Sequence, residues 1–267
     1  MSFEPLTLFL VFVFGTIIGS FLNVVIYRFN TGKGLLGRSR CFSCHKKLSW
    51  YELIPILSFL FQKGRCISCK CKISWQYPLV EFLTGAVFAL FFWKFFIKQA
   101  FFLTQINILF FFFYLVIFSI LLVIAVYDLR HAIIPNMLVY IFILLAFFVF
   151  VLDVTGAISN PFFTFSLNDI LAPLVLFSFF GGLWFFSKGM WIGFGDAKLS
   201  VGIGFLLGWK ASVIAFLISF WVGAIVGIYL LSLRRYSFTM KSEIPFGPFL
   251  ILGTFTAFLI SPIFFIF

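Results

Sequence analysis

Apolar stretches follow one another along this chain, separated by short polar joints and broken once by a longer polar segment near the N-terminus. A run of about 17–25 predominantly apolar residues is what a helix needs to cross the hydrocarbon core of a bilayer. The pattern predicts eight such segments, at 6–27, 78–96, 103–126, 133–152, 170–186, 197–209, 211–233 and 246–265. The sixth is short. Its 13 residues make roughly 20 Å of helix at 1.5 Å per residue, which suits a recessed or re-entrant segment as well as a span. The first run follows five residues, none of them basic, and is too long for a cleaved signal peptide, so it is read as a span.

Composition agrees. With 63% hydrophobic and 10% charged residues and a mean hydropathy of +1.19, the chain is not a soluble domain. The 46 phenylalanines add lipid-facing bulk and no chemistry. Charge then orients the spans. With an external N-terminus, the first internal loop holds ten basic residues between Arg28 and Lys72, and of all 19 only Lys94, Lys98 and Lys210 fall outside. The positive-inside rule therefore sets the polar segment on the cell-facing side. The same rule favours a crossing sixth segment, because otherwise Arg234, Arg235 and Lys241 would lie outside. The net charge of +11 reports topology, and no nucleic-acid partner is inferred from it. The expected fold class is an all-α polytopic membrane protein in a lipid bilayer, with about eight transmembrane helices and a small cytoplasmic insert.

Residues 29–77 form that insert and divide the chain into a first transmembrane helix (1–28), a cysteine-rich insert (29–77) and a transmembrane domain (78–267). All five cysteines fall in the insert: Cys41-x-x-Cys44, then Cys66-x-x-Cys69, with Cys71 just beyond. Two such knuckles, 21 residues apart, suit a four-thiolate zinc site, each presenting two sulfurs to one tetrahedral ion. A reducing cytosol favours metal over disulfide. Redox-active or spare thiols are the bland alternative. Cys71 is read as a bystander and His45 as a substitute ligand. The ion would be structural, since so small a loop has little core of its own.

In the first span Gly15, Gly19 and Asn23 recur every fourth residue, one helical face suited to close helix–helix approach. Two aspartates then stand at the edges of apolar runs: Asp128 in Val126-Tyr127-Asp128-Leu129-Arg130-His131, and Asp196 after Gly193-Phe194-Gly195. An ionisable group there is costly enough that function is the default reading. Under the proposed topology both lie on the cell-facing side, although 68 residues apart in sequence. Two such carboxylates could handle one water as an acid–base pair sharing a proton. The alternatives are an Asp128–Arg130 ion pair, a helix N-cap at Asp196, or passage of protons or cations through the pair. Asp153 and Asp169 fall on the outer side and read as caps. Position on their helices makes Asp196 the expected base and Asp128 the expected acid.

The chain resembles a type IV prepilin peptidase, an integral-membrane aspartic protease of the Gly-x-Gly-Asp class. The resemblance runs through Gly19-Ser20-Phe21-Leu22-Asn23, the cysteine knuckles, Glu52-Leu53-Ile54-Pro55, Gly64-Arg65-Cys66 and Tyr77-Pro78-Leu79-Val80-Glu81. It continues in Asp128-Leu129-Arg130-His131, Ile134-Pro135-Asn136, Gly193-Phe194-Gly195-Asp196-Ala197-Lys198 and Pro245-Phe246-Gly247-Pro248. Order and spacing together make it specific.

The resemblance implies a multi-pass protein of the inner (cytoplasmic) membrane that cuts a basic leader from prepilin and pseudopilin substrates. Many such enzymes then methylate the new N-terminus with S-adenosylmethionine; a peptidase without that second activity is the alternative. Asp128 and Asp196 match the catalytic pair, and Cys41, Cys44, Cys66 and Cys69 match the metal-binding cysteines. Gly64 matches a glycine linked to methyl transfer. The next position is often lysine and here is Arg65, which keeps charge but not geometry. Glu52, Glu81 and Glu243 are the inner acidic candidates to receive a basic leader. A proton or cation transporter, and a zinc-dependent scaffold for pilus assembly, are the competing functions. Nothing in the sequence sets an oligomeric state.

Overall fold

The computed structural model describes residues 4–32, 34, 37–98, 105–156, 165–232 and 244–264. Lys33, Arg234, Arg235, Lys241 and Glu243, which entered the charge reading, lie outside the described residues, as do the extreme ends of the third, seventh and eighth predicted spans. The described residues are helical or irregular, with no strand beyond isolated bridges. They divide into two compact units, 1–119 and 120–267.

The first unit is built on a pair of membrane helices, α1 (Glu4–Arg28) and α3 (Gln76–Phe92), with the insert between them. The glycine stripe sets their spacing. A Cβ on Gly15 would lie 2.8 Å from Gly85 Cα, and one on Gly19 would lie 2.7 Å from Glu81 Cα. Only bare backbone permits that approach, which recovers van der Waals contact where lipid offers no hydrophobic drive. Asn23, 1% exposed, donates from Nδ2 to the Tyr77 carbonyl at 3.1 Å and so ties the C-terminal end of α1 to the N-terminal end of α3. The insert contributes a 3-10 turn (Trp50–Leu53) and one short helix, α2 (Leu57–Phe61). Beyond α3, a π-helical turn (Trp93–Lys98) carries aromatic rings onto the first half of α4 (Gln105–His131), with Phe91 edge-on to Phe118 at 4.8 Å.

The second unit contains the end of α4, then α5 (Asn136–Val154), α6 (Leu171–Ser187), α7 (Phe194–Ser232) and α8 (Gly247–Phe264). Helix α4 stops where Ala132 takes a left-handed φ of 51°, and Pro135 then opens α5 from an extended conformation. Among the described residues, six helices are long and apolar enough to cross a membrane, with Gly247–Ile260 a shorter apolar helix. The sequence predicts eight segments. Of the two in excess, one comes from the eighth segment, seen as the shorter helix, and the other from α7, whose 39 residues join the sixth and seventh predicted segments across a break at Gly208 (φ 69°, ψ −174°).

That break is a reversal. Ser212 Oγ donates to the Ile203 carbonyl at 3.3 Å; nine residues of straight helix would hold these positions about 13 Å apart. Phe194–Leu207 and Trp209–Ser232 therefore run antiparallel. Asp169 clasps the turn: its Oδ1 accepts the Trp209 N–H at 2.8 Å while Oδ2 accepts the Ser166 N–H at 2.8 Å. Asp153 likewise accepts the Phe165 N–H at 2.7 Å. Asp153 and Asp169 thus both serve backbone N–H groups, the capping role expected of them.

Candidate active site and metal centre

Asp128 lies in the last turn of α4 and Asp196 in the first turn of α7, and both are buried, at 4% and 5% exposure. They are close enough to interact electrostatically. Three irregular turns bring them there. Gly193 precedes α7 and Gly195 stands in its first turn, the Ile133–Pro135 linker follows α4, and Gly247 opens α8. Ile134 is the shared wall. A Cβ on Gly195 would lie 2.8 Å from Ile134 Cβ, and one on Gly247 would lie 3.2 Å from Ile134 Cδ1.

Each carboxylate is held by a backbone N–H: Gly247 donates to Asp128, and Gly193 donates to Asp196. The Gly193 contact, with the Asp196 N–H returning to the Gly193 carbonyl at 3.1 Å, is half of a capping box. Capping thus accounts for one oxygen of Asp196. The other, Oδ1, is buried with no hydrogen-bond partner. Buried polar atoms are nearly always paired, and Asp196 Oδ1 shares its unpartnered state with Asn23 Oδ1, Glu52 Oε1 and Gln76 Nε2 among the described residues. Position on the parent helix no longer divides acid from base, because Asp128 also faces a helix N-terminus, that of α8. Nearby, Lys198 Nζ donates to Asn136 Oδ1 and lies 5.1 Å over the Phe194 ring, fastening α7 to the start of α5.

The insert repeats itself with a 25-residue offset. Cys41 N–H donates to Lys46 O and Cys66 N–H to Cys71 O. His45 N–H reaches Cys41 O as Lys70 N–H reaches Cys66 O, and Leu48 N–H reaches Ser39 O as Ile73 N–H reaches Gly64 O. Bridges Arg40–Lys47 and Arg65–Lys72 complete the match. The signal was present in the sequence as Arg40-Cys41-x-Ser43-Cys44-x-x-Lys47 against Arg65-Cys66-x-Ser68-Cys69-x-x-Lys72. In this correspondence Cys44 pairs with Cys69, while Cys71 occupies the place of Lys46.

The sulfurs of Cys41, Cys66, Cys69 and Cys71 all lie within 4.8 Å of one another, and Cys44 reaches Cys41 and Cys69. All five thiols therefore gather, including the Cys71 set aside as a bystander; His45 is not in the group. Tetrahedral zinc with Zn–S near 2.3 Å requires sulfurs about 3.8 Å apart. Cys41 and Cys69, 3.7 Å apart, match this spacing, while Cys71 lies closer to both, at 3.5 Å from Cys41 and 3.2 Å from Cys69. The Cys44 N–H holds the Cys41 thiol down to about 6 and the Cys69 N–H likewise lowers Cys66, while desolvation pushes Cys44 up to about 11 and the neighbouring Cys71 thiol raises Cys69. A thiolate is the form a metal takes.

Gly64 sits at a left-handed φ of 66°, where a Cβ would press on the Phe59 ring at 3.1 Å. A side chain there would disturb the entry to the second knuckle. Glu52 and Glu81 are each 6% exposed and engaged internally. Glu52 accepts the Ser49 N–H at 2.8 Å and Glu81 the Ile56 N–H at 2.8 Å. Their burial removes them as a surface for a basic leader.

Two family models match: the bacterial peptidase A24 N-terminal domain over residues 13–95, and the type IV leader peptidase family over residues 115–228. A prepilin leader peptidase/N-methyltransferase of Bacillus subtilis is 34% identical over 251 residues, covering 94% of this chain and 93% of that protein. Proteins of the same name from Aeromonas hydrophila (31% identical; 94% of this chain, 89% of theirs) and Pseudomonas aeruginosa (30% identical; 92% and 87%) are also similar. The chain belongs to the type IV leader peptidase family. It is a multi-pass membrane protein. No solved structure matches it.

Proposed function

We propose that this chain cleaves the basic leader from prepilins and pseudopilins at the cytoplasmic face of the inner membrane, and then methylates the exposed N-terminus. The carrying observation is the buried pair Asp128 and Asp196, walled by Ile134 and glycine turns, with Oδ1 of Asp196 unpartnered.

A water held by the two carboxylates loses a proton to the ionised one as its oxygen attacks the scissile carbonyl. The protonated partner donates to the carbonyl oxygen, and collapse of the tetrahedral centre breaks the C–N bond, with the proton passing to the leaving amine. Gly195 and Gly247 let bare backbone close on Ile134 and Asp128, which holds the pair in place. The charge pattern supports an external N-terminus with the insert and active site cell-facing, where a substrate's basic leader would remain while its apolar helix enters the bilayer.

The 78–267 portion carries the cleavage. In the 29–77 insert, zinc is proposed to be held by Cys41, Cys44, Cys66 and Cys69, fixing the two knuckles together. S-adenosylmethionine would supply the methyl group to the freed amine. The open cleft of about 510 Å³ near Gly64 is lined by Lys63, Arg65 and Lys70, which match the donor's sulfonium in sign, so the donor is not assigned to it. Gly64 is proposed to support methyl transfer through the shape of the knuckle entry.

The test is cleavage of a purified prepilin by the detergent-solubilised protein, with mass spectrometry of the product's N-terminus. A product trimmed at the leader junction and 14 Da heavier than the bare amine supports both activities. Intact substrate with the wild-type protein, or cleavage that survives Asp128→Asn and Asp196→Asn, overturns the proposal.

A further inference from the structure

The cleft of about 510 Å³ in the insert serves neither the carboxylate pair nor the thiolate cluster. Tyr51, Phe61 and Ile67 give it apolar walls, Lys63, Arg65 and Lys70 give it three positive charges, and no acidic side chain lines it. These three cations are exposed and form no ion pair among the described residues. Such a lining suits an anion with an apolar body.

The wall of this cleft is fixed to the membrane helices. The Ile56 N–H donates to Glu81 Oε2 at 2.8 Å, and Glu81 lies on the second turn of α3. Tyr27 and Tyr77, at the C-terminal end of α1 and the N-terminal end of α3, stack at 5.0 Å. Residues 51–62 therefore cannot leave the surface through which α1 and α3 enter the bilayer. The same tethered region leaves Trp50 78%, Phe61 83% and Trp75 74% exposed. Large aromatics beside lysine and arginine are costly in bulk water and favoured at a membrane–water boundary.

We propose that this cleft binds the head group of an acidic phospholipid, its phosphate against Lys63, Arg65 and Lys70 and its upper acyl chain against Tyr51, Phe61 and Ile67. The inference rests on the membrane reading of α1 and α3 and is independent of the peptidase reading. Like charge disfavours a basic leader or a sulfonium donor here. A free phosphate would leave the apolar walls unused. Each basic residue near an anionic lipid surface strengthens binding by about fivefold, so three together give about a hundredfold.

The test uses the full-length protein in neutral detergent, titrated with dioctanoyl phosphatidylglycerol or dioctanoyl phosphatidylcholine, with bound lipid counted by native mass spectrometry. One saturable phosphatidylglycerol is expected, with phosphatidylcholine at least tenfold weaker. The K63Q/R65Q/K70Q variant should bind it about a hundredfold more weakly, while K63R/R65K/K70R, which keeps the charge, should retain it. Equal binding of the two lipids by the wild-type protein overturns the proposal without reference to any variant. So does undiminished binding by the glutamine variant, or displacement of the lipid by equimolar glycerol 3-phosphate or S-adenosylmethionine.

Discussion

Replacing Gly247 by alanine tests the proposed site with a single methyl group. Its Cβ would fall 2.6 Å from Asp128 Oδ2 and 3.2 Å from Ile134 Cδ1, the first inside the 3.0 Å that real Cβ atoms essentially never breach. Asp128 must therefore shift by several tenths of an ångström and loosen the hydrogen bond it accepts from the residue 247 N–H. Misplacement on the order of 1 Å at a reacting group costs about a hundredfold in rate. A smaller shift predicts a loss of roughly ten- to a hundredfold, or about 1.4–2.7 kcal/mol of transition-state stabilisation. Stability should change little, because alanine is the better helix former at the start of α8. Gly227→Ala is the control: it lies within α7 with no atom within 4 Å of its Cβ position. It should gain up to about 1 kcal/mol in stability and keep full activity. Prepilin cleavage rates, with thermal unfolding in the same detergent, separate the two effects. Wild-type cleavage by Gly247→Ala, or a loss matched by an equal fall in unfolding temperature, would refute the steric argument.

Asp128→Asn and Asp196→Asn should each lower cleavage by at least about 10²–10⁴-fold, the usual span for removing a positioned acid or base, with no change in metal content. Serine at Cys41, Cys44, Cys66 or Cys69 should reduce bound zinc, while Cys71→Ser should retain it; elemental analysis of the purified variants decides. Gly208→Ala should cost at least about 1–3 kcal/mol, since alanine resists the backbone angles of the α7 reversal and its Cβ would meet Asp169 Oδ1 at 3.0 Å. Unfolding at an unchanged temperature would contradict that account.

Much of the fold was legible because lipid imposes one simple demand: long apolar runs with their backbone paired internally. The small-residue stripe at Gly15 and Gly19 read correctly for the same reason, since spacing by four places residues on one helical face. The reversal at Gly208 was not legible. It depends on a hydrogen bond that the Trp209 N–H donates to Asp169, 40 residues earlier, and this glycine is one of 20 in the chain. Likewise Asp128 and Asp196 stood out by cost alone, whereas Ile134 and Gly247 act through contacts between separate elements that no local pattern records. Burial of Glu52 and Glu81 was hidden for a related reason: short motifs show an acid's identity but not which backbone N–H it serves. The knuckle repeat was available at the 25-residue offset, and it separates Cys44 from Cys71 more cleanly than spacing within either knuckle.

Ile56 (φ 60°, ψ −53°), with the Leu57 N–H donating to the Pro55 carbonyl across it, forms a γ-turn that splits the insert into two mechanically distinct halves. A β-branched residue at φ 60° is an unfavourable geometry, and the carboxyl of Glu81 pins it from the membrane helix below. That pin involves no sulfur. Stripping the metal should therefore let the two knuckles fray while the platform from Trp50 to Phe61 stays moored, and limited proteolysis after chelation would cut around residues 40–47 and 65–72 long before it reached Ile56.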